Sequence, residues 1–175
     1  LLLTVEQAFD FDKTTQEALN HTQQGLTVNE PVGHSPVMQR LREQIKRIAE
    51  HDSWVLLSGE AGSGTKVAAH YLHANSLHND KNFIEANLSA LSYEKNPQDI
   101  LDLLDKSQGG TLFLRNIDQA DEPTQNFLLG LLQTSSFQHI GDSSSNSFKA
   151  RIICSSYKNL ERLVEENKFR KDLYY

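Results

Sequence analysis

The stretch "SWVLLSGEAGSGTKVAAHYLH", residues 53–73, constrains what this chain can fold into more than any other. A short apolar run ends at Gly59, glycines recur at 62 and 64, and a helical pattern begins at once. Strand, glycine loop and helix in that order form a phosphate cradle, because the glycines let backbone N–H groups turn inward and the helix N-terminus adds partial positive charge. A hydrolysing loop of this type reads G-x-x-x-x-G-K-[ST]. Here Thr65 follows Gly64, and the lysine arrives one position late as Lys66. One residue is ~100° of helix turn, so Lys66 is expected to point away from the cradle. Two readings stand at this point: a nucleotide site without its catalytic cation, or a tight turn with no ligand.

The rest of the chain alternates strands and helices. "KNFIEANLS", "GGTLFLRNID" and "ARIICSS" read as further buried strands. The helices between and around them are "VMQRLREQIKRIAEH", with Ser35 as cap, Pro36 in its first turn and Met38, Leu41, Ile45 and Ile48 on one face; "NPQDILDLLDKS"; "EPTQNFLLGLLQT"; and "NLERLVEENKF". Such alternation implies an α/β fold with a parallel sheet covered on both faces. Residues 1–24 carry apolar residues at threes and fours and read as a helix interrupted at Asp10 to Asp12. "GLTVNEPVGHSP" then reads as a linker, and "GDSSSNS" as a flexible loop.

Composition narrows the partners. A net charge of −6 argues against this segment gripping DNA itself. No apolar run reaches the ~18 residues of a membrane helix, so no membrane partner is expected. The single cysteine, Cys154, forms no internal disulfide and fits a cytoplasmic setting. Chain ends at Leu1 and "DLYY" suggest a piece of something longer. His70, His73 and His78 lie close in sequence but lack acidic or cysteine partners at helical spacing, so no metal site is expected.

From Pro31 to Tyr175 the chain resembles the AAA+ domain of sigma-54-dependent bacterial transcription activators of the NtrC kind. "PVGHSPVMQRLREQIKRIAEHDSWVLLSGEAGSGTK" is similar to that domain's opening. "NFIEANLSAL" is similar to its second strand, and "GGTLFLRNIDQADEPTQNFLLGLLQ" to its Walker B region. "ARIICSSYKNLERLVEENKFRKDLYY" resembles its sensor I and arginine-finger segment. The resemblance implies a P-loop AAA+ three-layer α/β/α sandwich over 31–175. Residues 1–30 would be a linker helix that resembles the end of a receiver domain. It also implies ring-like homo-oligomers, RNA polymerase machinery as the partner of the full-length protein, and DNA contact through a C-terminal helix-turn-helix domain beyond this segment. The nucleotide-binding positions it carries over are Val32, Gly33, Gly59, Glu60, Ala61, Gly62, Ser63, Gly64, Thr65 and Lys66. The ligand is expected to be ATP or ADP, or cyclic di-GMP, which some relatives bind.

Departures from the family pattern shape the expected function. Walker B in the family ends in Asp-Glu, which holds Mg²⁺ and prepares the attacking water. Arg115 and Asn116 stand there. Arginine cannot ligate a metal, and asparagine cannot take a proton from water, so Mg²⁺ and catalytic residues are not expected. The family's sigma-54 contact motif, GAFTGA, is absent from residues 87–109. Asn87 matches the family asparagine that partners the Walker B glutamate, whose place Asn116 takes. Arg170 matches the arginine finger. Ser156 and Tyr157 replace Thr-Asn at sensor I. Three readings follow: a regulatory module that neither hydrolyses ATP nor engages sigma-54 and acts by oligomerisation; a nucleotide sensor, although "TVNEPVG" lacks the linker arginine of cyclic di-GMP-binding relatives; and a weakly active ATPase in which Lys66 reaches back.

Overall fold

The structure is a computed structural model that describes residues 2–4 and 33–175. Strands β1 (Leu2–Thr4), β2 (Val55–Ser58), β3 (Phe83–Asn87), β4 (Thr111–Arg115) and β7 (Arg151–Ser156) form one parallel sheet in the order β1-β2-β7-β4-β3. A two-stranded ribbon, β5 (Ser136–Phe137) with β6 (Asn146–Ser147), brackets the serine-rich loop. The sheet strands alternate their faces, as the period of two requires. Val55, Leu57, Phe113 and Ile153 face α1 (Pro36–Ala49) and α2 (Thr65–Ala74). Leu112, Leu114, Ile152 and Cys154 face α3 (Pro97–Ser107), α4 (Glu122–Thr134) and α5 (Leu160–Glu165). The result is a three-layer α/β/α sandwich.

Local chemistry sets the helix ends. The Ser35 hydroxyl accepts from the Met38 N–H at 3.2 Å, with Pro36 in the first turn. Asp121 caps α4 by accepting from the Thr124 N–H at 3.0 Å. The final helical run is shorter than its pattern suggests: α5 stops at Glu165, Asn167 takes a left-handed φ of 57°, and a new helix α6 (Lys171–Tyr174) follows.

Residues Leu2–Thr4 depart from the expected helix over 1–24. They pair in parallel with Leu56–Ser58, because the β2 edge offers a hydrogen-bonding partner that outweighs a local helical period. The remainder of that expected helix and the linker up to Val32 lie outside the described residues.

The three histidines each have structural partners. His73 Nδ1 lies 2.8 Å from Thr111 Oγ1, His70 stacks on Phe83 at 4.1 Å, and His78 Nε2 meets Asp52 at 2.9 Å. No three His, Cys, Asp or Glu side chains gather as a metal-holding group among the described residues. Burial pushes the His73 and His70 pKa values below the ordinary value, with neighbouring charge on Lys66 adding to the effect at His70. Below pH about 6.5 the unfolded chain therefore takes up protons that the folded chain resists. Stability should fall as pH drops through that point, and the midpoint of thermal melting should decrease between pH 7 and 5.5. His73→Gln should flatten this slope; an unchanged slope would remove His73 from the account.

Candidate functional site

The glycine loop joins β2 to α2, with Gly62 and Gly64 both at a φ of 85°. That left-handed backbone lets the chain reverse within six residues, and Gly64 caps α2 in this conformation. Gly59 N–H donates to the Ser156 carbonyl at 3.2 Å, and Ser63 N–H to the Glu60 carbonyl at 3.0 Å. The N–H groups of Gly62, Gly64, Thr65 and Lys66 have no acceptor among the described residues, so the donors of an anion cradle are intact. A cavity of about 330 Å³ borders the loop's start, lined by Ser58, Gly59, Glu60, Tyr157, Asn159 and Tyr174 among others.

Thr65 occupies the lysine position and is buried, 4% exposed. Lys66 turns outward, and its Nζ sits 2.9 Å from Glu85 Oε2 on β3. Arg115 ends β4 and donates from a terminal guanidinium nitrogen to Glu85 Oε1 at 2.8 Å. One carboxylate thus bridges two cations. The Tyr157 side chain and then Glu85 raise the Arg115 pKa further. Burial pushes the Glu85 carboxyl up, but Lys66 and Arg115 outweigh it and hold it below the ordinary carboxylate value.

Asn116 takes a left-handed φ of 58° at the start of a short 3-10 turn, Ile117–Gln119. Its Nδ2 donates to Asn87 Oδ1 at 2.7 Å. Asn87 therefore keeps a partner at the glutamate position, as an amide-to-amide bond, while also accepting from the Ser89 N–H at 3.1 Å. Asp118 is occupied in the turn, where it accepts from Ser156 Oγ at 3.2 Å and Tyr157 N–H at 3.3 Å.

The Arg170 side chain bonds to Asp172 and Asn126 and not to the loop residues. Its Nε and one terminal nitrogen fork onto Asp172 at 2.9 and 2.6 Å, and the other terminal nitrogen donates to Asn126 Oδ1 at 2.6 Å. A cavity of about 1090 Å³ lies beside it between α4 and the 164–175 segment. Gly33 is buried two residues before the α1 cap.

The segment from Leu88 to Asn96 folds down on α4 instead of projecting. Ser92 donates to the Asp121 carboxylate, Tyr93 N–H donates to Thr124 Oγ1 at 3.0 Å, and the Tyr93 ring stacks on Phe127 at 4.2 Å. Glu85 is the site residue that the sequence reading missed. Its signal was a lone charge inside the apolar strand "NFIEANL".

The sigma-54 interaction domain family matches residues 32–175. The Nif-specific regulatory protein of Azotobacter vinelandii is 32% identical over 167 residues, covering 84% of this chain and 31% of that protein. NtrX from Brucella abortus, solved in complex with ADP, has a TM-score of 0.76 at 28% identity over 96% of this chain and 40% of its own. The P-loop NTPase domain of the sigma-54 transport activator from E. coli has a TM-score of 0.58 at 27% identity over 77% of this chain and 98% of its own. This chain spans less than half the length of curated relatives such as these, 31% of the Azotobacter vinelandii protein and 41% of NtrC from Salmonella typhimurium. The match over 32–175, together with a parallel sheet and glycine loop in a P-loop AAA+ arrangement, shows that the chain belongs to the sigma-54 interaction domain family.

Proposed function

We propose that this is the central domain of a bacterial transcription regulator that neither hydrolyses ATP nor engages sigma-54, and that works through self-association with a nucleotide at the glycine loop as its input. The observation that carries this reading is the Lys66–Glu85–Arg115 cluster. Family catalysis needs a carboxylate there to hold Mg²⁺ and a lysine at the phosphates. Instead, Arg115 carries a fixed positive charge at the metal position, Thr65 has no charge to offer, and Asp118 is engaged by Ser156 and Tyr157. Mg²⁺ does not fit this donor set.

The intact N–H cradle supports nucleotide binding, as does the likeness to an ADP-bound relative. The packed-down Leu88–Asn96 segment supports the loss of a sigma-54 contact loop, since its polar groups are spent on α4. Residues 31–175 form the AAA+ unit in this reading, and 1–30 the connection to an upstream receiver domain. DNA binding and RNA polymerase contact fall to the full-length protein in the cytoplasm. No described helix is long and apolar enough to cross a membrane.

A phosphate-release assay with Mg²⁺ and ATP, run beside calorimetric titrations with ATP, ADP and cyclic di-GMP, tests the reading. No turnover above background, with binding of at least one nucleotide, is the expected result. Turnover that Lys66→Ala abolishes would replace this reading with an active ATPase.

A further inference from the structure

The buried polar atoms without partners are not scattered. Among the described residues they are Ser63 Oγ, Asn116 Oδ1, Ser155 Oγ and Arg151 Nε, and the first three surround the loop and the ends of β4 and β7. Ser155 is fully buried, 0% exposed. It lies opposite Leu57, two residues before Gly59, and shares its face with Ile153, which is paired with Phe113. By the same alternation it sits beside Arg115 on the face that α2 covers. An unpaired buried hydroxyl destabilises a fold. Its position beneath the cradle, with Ser63 Oγ in the loop itself, points to an occupant that supplies oxygens there.

The charges around this point are inverted relative to a metal-dependent site. Lys66 and Arg115 supply two positive charges, and Glu85 one negative charge. Lys66 is 57% exposed and Arg115 33%, so both cations are open to an incoming anion that competes with Glu85.

Resting on the reading of the loop as a nucleotide site, we propose that Glu85 is an internal counter-anion that occupies Lys66 and Arg115 until the phosphate end of a metal-free nucleotide displaces it. The bound phosphates are held by the loop N–H groups and by these two cations. Mg²⁺ weakens the complex, because it removes negative charge from the ligand and is repelled by Arg115 and Lys66.

The test is calorimetric titration with ADP and with pyrophosphate, in EDTA and in saturating Mg²⁺. Wild-type protein should bind ADP in EDTA and lose about tenfold in affinity with Mg²⁺. Glu85→Gln, which leaves both cations unneutralised, should bind about tenfold tighter than wild type in EDTA, with a steeper loss on adding salt. Pyrophosphate binding that responds in the same way would place recognition in the phosphates alone; binding of ADP only would add the nucleoside, and both results support the proposal. Tighter wild-type binding with Mg²⁺ would overturn it while leaving nucleotide binding intact, and this arm needs no variant. Unchanged or weaker affinity in a Glu85→Gln protein that melts like wild type would also overturn it. No binding of either probe by either protein would overturn this inference, and no binding of ATP or cyclic di-GMP besides would remove the nucleotide reading with it.

Discussion

Gly110→Ala should destabilise the domain by roughly 3 kcal/mol or more, while Gly109→Ala next to it should lose only about 1 kcal/mol. The two glycines of "QGGTLFL" do different things. Gly109 has a φ of 74° with open space where a Cβ would go, so alanine meets only the left-handed backbone penalty. At Gly110 a Cβ would overlap the Asn82 carbonyl and lie 3.0 Å from the Asn82 nitrogen. That carbonyl is also the acceptor for Thr111 N–H at 2.9 Å, and Gly110 itself accepts from Arg151 N–H at 3.0 Å. The clash is with the Asn82 backbone, so no rotamer change relieves it. Alanine there must push the start of β3 away from β4, or β4 away from β7. Urea denaturation of both variants checks this through the transition midpoint at constant slope. Equal losses at the two positions would mean that the β3 entry is softer than its packing implies.

Arg151→Ala should be comparably severe, at roughly 3–5 kcal/mol, and Arg151→Met should recover a substantial part of that loss. Arg151 opens β7, 1% exposed, and its guanidinium donates to the Ala49 carbonyl at 3.3 Å and the Ile48 carbonyl at 2.6 Å. Those carbonyls lie at the C-terminal end of α1, where a cation is favoured. Burial lowers the Arg151 pKa, and Asp52 nearby offsets this in part. Alanine would leave both a cavity and two carbonyls without these donors. Methionine fills the volume and removes the buried charge, so it separates packing from capping. If Arg151→Met were as damaging as alanine, the hydrogen bonds would be the larger contribution; if it matched wild type, the charge would contribute nothing net. Thermal melting of the two variants decides between these.

Most of the fold was legible in the chain. Four of the five strands of the main sheet, the four longest helices and the Ser35 cap with Pro36 in the first turn follow from runs and periods that a local window contains. The β5–β6 ribbon was not legible, because two-residue strands carry no period. Leu2–Thr4 misled for a related reason: three residues satisfy a helical spacing and a strand equally, and only the neighbouring β2 edge decides. The resemblance pairs Asn87 with a position where Asn116 replaces glutamate, and Asn87 also accepts from the Ser89 N–H. The structure keeps both, since a second amide can serve where a carboxylate would.

At the site, the amino-acid sequence by itself determined the glycine loop, the lysine displaced from the family pattern and the arginine where that pattern has an aspartate. These depend only on which residue stands next to which in a strand, loop and helix. Only the tertiary structure decided where the displaced charges go. Glu85 lies 19 residues beyond Lys66 and 30 before Arg115 in the chain, and no local pattern ties it to either. Parallel pairing of β3 with β4, and the packing of α2 over the same face, bring the three together. An ion cluster depends on distances through space, and in a parallel sheet those distances are set by crossovers that a local pattern does not contain.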